Sequence, residues 1–239
     1  MLPLSQRSRD ALYELYGQAA SQLRSRPSSV KLLFGFEPAG VRPLHGGFWD
    51  WSTLALRQAL LQFPPSGKDL LEVGTGAIGV LAIFAALRLR PKSICAADVI
   101  PENIVTARAI AERCGVHIRF VESDLFRDIP GVFDVIVFNP PYVDAQAGRR
   151  LGLYPDAPSE ARSNGGRLGL EVAARFLKEA PAHLRSGGTI FLGLSDFHVG
   201  PRRAAELIER AGLLEASRLK TWLPLPSSVY ALHHVSDGA

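Results

Sequence analysis

From Lys68 onward, short apolar runs alternate with longer segments whose apolar positions recur every three or four residues. DLLEV (69–73), SICAAD (93–98), HIRFVES (117–123), VFDVIVF (132–138) and TIFLGL (189–194) are short, bounded by turn residues and largely apolar, and so predict mostly buried strands. Between them the spacing predicts helices over 79–88, from the PEN sequence at 101–103 to about Arg113, over 170–184 and over 201–211. The last has Pro201 in its first turn and Gly212 just past its end, the usual asymmetry of helix termini. Strands alternating with helices imply an α/β, Rossmann-like fold: a mostly parallel sheet with helices on both faces. LLEASRLKT and SVYALHHV are expected to close the chain as an antiparallel pair at one edge.

Upstream the pattern is less regular. Residues 6–25 predict a short amphipathic helix ended by SRPSS (25–29), and the Pro- and Gly-rich stretch that follows predicts an extended loop or hairpin leading to a helix over 53–62. Residues 1–44 are therefore expected to form an N-terminal helical extension and 45–239 the main domain. A polar insertion covers 143–167.

Composition narrows the function classes. With 47% apolar and 21% charged residues, the chain has the balance of a folded globular protein. Its start has no apolar signal core, and the run from Val80 to Leu87 is too short to span a bilayer, so a cytoplasmic protein with no membrane partner is expected. Cys95 and Cys114 have no further ligand at metal spacing, so no metal is expected. The net charge of +4 is spread without a dense patch, which ranks a nucleic-acid partner behind a protein or a small molecule.

LLEVGTGAIG places Gly74, Gly76 and Gly79 between a strand and a helix, with Asp98 at the end of the next strand. The glycines alone permit a nicotinamide-dependent oxidoreductase. Glu72 argues against it: two residues before Gly74, its carboxylate is expected to face the same crevice, repelling a pyrophosphate and attracting an ammonium. S-adenosyl-L-methionine offers that ammonium, a ribose for Asp98, and an adenine amino group for Asp124 in ESDLF.

VIVFNPPYV ends an apolar strand with Asn139, Pro140, Pro141 and Tyr142. Two prolines fix the backbone and remove two N–H donors, leaving a stiff corner of acceptors. Asn139 Oδ1 and the Pro140 carbonyl can accept both hydrogens of a planar NH2 group while Tyr142 lies against its face. Such a grip orients a weakly nucleophilic nitrogen and stabilises the charge it gains, without a strong base. The six histidines are scattered and form no catalytic triad.

EVGTG, AAD, SDLF, NPPY and GGRLGLEVAARFLKEAPAHLRSGG together resemble the class I S-adenosylmethionine-dependent methyltransferases that carry NPPY, most of all the release-factor glutamine N5-methyltransferases. The resemblance covers about residues 68–195. It implies a seven-stranded sheet, a cofactor set of Glu72, Gly74, Thr75, Gly76, Asp98, Val99, Asp124, Leu125 and Asn139, and catalytic roles for Asn139, Pro140 and Tyr142. Two features depart from that family: its third loop glycine falls at Ile78 here, with Gly79 instead, and the segment before the sheet is too short and too rich in Pro and Gly for its N-terminal helical bundle.

Phe48, Trp49 and Trp51 in LHGGFWDWST either line the acceptor pocket or plug the N-terminal segment onto the sheet. Among Arg149, Arg150, Arg162 and Arg167 of the insertion, Arg162 is the candidate for a substrate anion, with a solvated loop as the alternative. The acceptor is expected to be a protein glutamine amide or a small amino-acid-like nitrogen, and a non-catalytic scaffold is the remaining alternative. The oligomeric state is not encoded in any motif.

Overall fold

A computed structural model describes residues 23–41, 49–150, 164–167, 169–196, 198–220 and 227–234. Seven strands form one sheet in the order β3-β2-β1-β4-β5-β7-β6. They are β1 (Asp69–Val73), β2 (Ser93–Asp98), β3 (Arg119–Glu122), β4 (Phe133–Phe138), β5 (Leu184–Ser195), β6 (Leu213–Lys220) and β7 (Ser227–His234). The first five run parallel; β7 inserts antiparallel between β5 and β6. The closing pair expected from the sequence is thus present, with β6 as the edge strand.

The helices are α1 (Pro27–Phe34), α2 (Trp51–Gln62), α3 (Val80–Arg88), α4 (Pro101–Arg113), α5 (Ala145–Arg150), α6 (Glu171–Glu179) and α7 (Pro201–Arg210), with a 3-10 turn at Ala180–His183. Alternate strand residues point to opposite faces, and each face has its own cover. Leu70, Ala96, Val135 and Val137 pack with α1 to α4, whereas Leu71, Ala97, Ile136 and Phe138 pack with Phe176 and Leu177 of α6 and with Ala204 and Ile208 of α7. No helix among the described residues is long and apolar enough to cross a membrane.

One upstream expectation is corrected. SRPSS both ends one helix and starts another: Leu23 and Arg24 are helical and Ser25 turns, as expected, and Pro27 then occupies the first turn of α1, where its missing N–H costs no hydrogen bond. VKLLF therefore belongs to α1 and not to an extended loop, and Gly35 closes the helix at φ 87° with its N–H on the Lys31 carbonyl. Almost all of the helix expected over 6–25 lies outside the described residues.

The strand order reverses between β1 and β4: the chain leaves β1 for β2 and β3 on one side and returns to β4 on the other. Val73 is in register with Ala97 on β2 and with Phe138 on β4. Gly74, Asp98 and Asn139, each one residue further on, emerge side by side at the carboxyl edge, where open α/β sheets bind ligands.

Val30 and Phe34 of α1 are fully buried, and Phe34 meets Phe84 of α3 edge-on at 6.2 Å. Phe34→Ala is expected to lower stability by about 3–5 kcal/mol in a single denaturant transition. A loss below about 1 kcal/mol would make α1 a detachable appendage instead.

Candidate active site

Glu72 lies at the penultimate position of β1, 5% exposed, with its carboxylate beneath the glycine loop. Its Oε2 accepts from Thr75 Oγ1 at 2.6 Å and from the Ala82 amide at 2.9 Å. The helix N-cap, Gly79, has no side chain to cap the first turn of α3, so the strand supplies the acceptor from below. This corrects the expectation that Glu72 faces the crevice as a partner for an ammonium. Burial pushes its pKa up to about 7, opposed by the Thr75 and Ala82 donors and assisted by the nearby Asp98 charge.

The departure from the usual glycine spacing also has a local cause. Ile78 is 4% exposed and anchors the loop in the core, while Gly79 takes the left-handed conformation (φ 57°) that leads into α3. A Cβ at Gly79 would lie 3.4 Å from Ala107, so the glycine fits both the backbone and the space.

Asp98, at the end of β2, ties the loops together. Oδ2 accepts from the Gly76 amide at 2.8 Å; Oδ1 accepts from the Ile100 amide at 2.9 Å and Asn103 Nδ2 at 3.0 Å. Three bonds leave about one lone-pair position of the carboxylate for a hydroxyl. Val99 beside it is 55% exposed, an apolar wall at the crevice. Leu125 is buried with φ 53°, a rare conformation for a branched side chain. Asp124 departs from expectation: its Oδ2 is held by Arg175 at 2.8 Å and Arg127 at 3.1 Å, so this oxygen faces two guanidinium groups.

Asn139 is the clearest feature of the site. Its Nδ2 donates to Asp50 Oδ1 at 3.0 Å and to Thr53 Oγ1 at 3.2 Å, while its Oδ1 is buried with no hydrogen-bond partner among the described residues. Chemistry fixes this orientation: a carboxylate only accepts, so the NH2 side must face Asp50. A buried acceptor without a partner costs free energy unless something else supplies a donor. Tyr142 donates its hydroxyl to Asp50 Oδ2 at 2.5 Å, and its ring lies 5.5 Å from that of His198. Burial holds His198 down to about 4, against the opposing charge of Asp50, so the imidazole beside Tyr142 is neutral at ordinary pH.

The GG-x-x-G element after the insertion packs against this corner. A Cβ at Gly165 would lie 2.7 Å from the Pro141 carbonyl oxygen, and one at Gly169 2.6 Å from that of Tyr142. The Gly165 amide donates to the Val143 carbonyl at 2.9 Å. The insertion thus begins and ends on the backbone that carries Asn139.

The other sequence candidates divide. Trp49 is 4% exposed, its indole N–H donates to Ser29 Oγ at 2.9 Å, and its ring meets Phe34 and Trp51. It is the plug that fastens α1 to α2, which corrects its assignment to the acceptor pocket. Trp51 is half-buried, with an indole N–H that has no partner among the described residues. Phe48 and Arg162 lie outside the described residues. Pro140 is buried at the corner. Asp50, the residue that joins Asn139 to Tyr142, escaped the sequence reading; the D-x-x-T pattern of Asp50 and Thr53 was its signal, since it forms the capping box that starts α2.

This topology defines the class I methyltransferase fold. A methyltransferase of Pyrococcus furiosus superposes with a TM-score of 0.59 at 22% identity, covering 95% of this chain and 100% of that one. A 16S rRNA N2 methyltransferase of Thermus thermophilus, solved in complex with AdoMet and guanosine, superposes with a TM-score of 0.56 at 20% identity, covering 84% of this chain and 45% of that one. Residues 47–152 match the model of the methyltransferase small domain. In sequence the chain is 37% identical over 123 residues to a candidate protein N5-glutamine methyltransferase of Methanocaldococcus jannaschii, covering 52% of this chain and 59% of that protein. It is also 37% identical over 142 residues to the release factor glutamine methyltransferase of Deinococcus radiodurans, covering 58% and 49%. The ribosomal protein uL3 glutamine methyltransferase of Bradyrhizobium diazoefficiens is 30% identical over 156 residues, covering 64% and 46%. The matched region spans about half the length of these curated relatives.

Because the folded pKa of Glu72 is raised from 4.5 to about 7, its protonated form adds stability that is fully present below about pH 4.5 and is lost as pH rises through 7. Glu72→Gln, neutral throughout, is expected to flatten that decline. Thermal melts from pH 4.5 to 8 check it; identical slopes in both proteins would mean that Glu72 is ionised across the range.

Proposed function

We propose that the chain methylates a planar amide nitrogen, with S-adenosyl-L-methionine as donor and a protein glutamine side chain as acceptor. The crevice fits that donor by its chemistry. Asp98 retains about one acceptor position for a ribose hydroxyl, and Val99 offers an apolar wall. When bound, the cofactor supplies an electrophilic methyl on a sulfonium.

The observation that carries the reading is the unpartnered Oδ1 of Asn139, buried at the reversal point of the sheet. An N–H of the acceptor amide supplies its missing donor, and the Pro140 carbonyl accepts the second. With both hydrogens held, the lone pair stands perpendicular to the amide plane and the positive charge that develops on nitrogen is stabilised. Because the Nδ2 side of Asn139 is turned to Asp50 and Thr53, Oδ1 is the atom left for the substrate, which favours an NH2 group over a carbonyl or carboxylate. The neutral His198 adds no charge beside the incoming cation. A glutamine acceptor draws further support from the release factor and uL3 enzymes among the relatives.

Calorimetry with S-adenosylhomocysteine and transfer assays on purified, unmethylated release factor and uL3 test the reading. Binding is expected, together with a gain of one methyl on a glutamine of one of these proteins. Asn139→Ala is expected to keep cofactor affinity within a few-fold and to lower the transfer rate on the order of 100-fold or more, the scale of losing one preorganised group. Unchanged transfer would place the acceptor elsewhere.

A further inference from the structure

We propose that Asp50 is a positioning residue for the methyl acceptor: its carboxylate sets which way the Asn139 amide faces and anchors the Tyr142 hydroxyl, without itself touching the substrate. The proposal rests on the function inferred above and adds a residue on a separate element, 89 positions upstream of Asn139.

Asp50 does more than start α2. A helix cap needs one acceptor for one backbone amide, and Oδ1 supplies it to the Thr53 N–H at 2.7 Å. Serine would do the same. The bonds beyond the cap all lead toward the NPPY corner. Oδ1 also accepts from the Thr53 hydroxyl at 2.7 Å, which turns the Thr53 lone pairs toward Asn139 Nδ2. Oδ1 itself receives a hydrogen from Nδ2, and Oδ2 receives the hydroxyl hydrogen of Tyr142.

The arrangement acts on one degree of freedom. A primary amide can rotate by a half-turn, exchanging its oxygen and nitrogen at nearly equal cost in an unbiased setting. Here the half-turn would press Asn139 Oδ1 against the Asp50 carboxylate and the Thr53 hydroxyl oxygen, and would leave Thr53 Oγ1 with only the Asp50 backbone N–H as donor. Only one orientation survives, and it turns the buried acceptor oxygen away from Asp50. The same carboxylate spans Asn139 and Tyr142, residues at opposite ends of the proline pair. It therefore fixes the two ends of the corner relative to each other and to α2.

Asp50→Ser separates positioning from capping, because serine retains the N-cap bond but reaches neither Asn139 nor Tyr142. In the full chain we expect S-adenosylhomocysteine affinity to stay within about twofold and maximal methyl transfer to fall on the order of 10–100-fold, the scale of a misplaced reacting group. The second readout is independent of activity: the nitrogen-15 resonances of the Asn139 side-chain amide, identified by their loss in Asn139→Ala. In the native chain the two amide protons should be distinct and protected from solvent exchange; in Asp50→Ser they should exchange freely. Asp50→Asn keeps one acceptor oxygen for Thr53 and Asn139 and should recover part of both signals.

Native transfer and an unchanged Asn139 resonance in Asp50→Ser would overturn the proposal. If that variant fails to fold, Asp50→Asn decides: native transfer with a native resonance overturns it, and reduced transfer with intermediate exchange supports it. A native chain that binds no S-adenosylhomocysteine would instead sink the functional reading, while the resonance still reports whether Asp50 holds Asn139.

Discussion

A carboxylate taken out of water must find hydrogen-bond donors, and at the carboxyl edge of this sheet three of them organise everything around them. Glu72 gathers Thr75 and the Ala82 amide, shaping the glycine loop from beneath. Asp98 gathers the Gly76 and Ile100 amides, closing that loop onto the end of β2. Asp50 gathers Thr53, Asn139 and Tyr142, closing α2 onto the end of β4. Asp98 and Asp50 join segments far apart in the chain, Glu72 ties the end of β1 to the start of α3, and the crevice is the space they leave between them. Backbone donors of irregular loops are thereby satisfied without a regular ladder, which lets the loops hold shape where ligands must enter.

This division of labour separates shaping from chemistry. The acids do most of the shaping; the buried group without a partner at the NPPY corner is a neutral amide oxygen. A neutral acceptor suits a reaction in which charge appears on the substrate only as the bond forms, because a full negative charge in the same place would hold a cation as tightly before transfer as during it. The neutral imidazole of His198 beside Tyr142 is in keeping with that restraint.

The sheet was legible because its strands are buried on both faces and its helices carry regular apolar spacing; strand positions and the closing antiparallel pair follow from pattern alone. α1 was not legible, since Pro27 in SRPSS reads equally as a stop and as a first-turn proline, and only the burial of Val30 and Phe34 decides between them. Glu72 and Asp98 stood out by position, but their bonds did not: a one-dimensional pattern gives the strand end, not whether the carboxylate turns toward the loop above or the helix behind. Asp124 was misread for a related reason, because Arg175 sits 51 positions away and nothing local announces the pair. Asp50 was hidden most completely, behind three aromatic neighbours that drew the eye toward a pocket. For Asn139 the sequence marked the position at the end of β4, and its Oδ1 without a partner among the described residues is what the structure adds.

The glycine packing behind the corner bears on how such a molecule could acquire new clients. The returning end of the insertion packs on the carbonyls of Pro141 and Tyr142 at Gly165 and Gly169, with no room for a methyl group at either glycine. Changes at these glycines would shift the corner that carries Asn139, whereas exchange of residues further along the insertion need not. What the crevice admits and how the corner is held can then drift independently: a loop graft within the insertion could change the one without resetting Asn139.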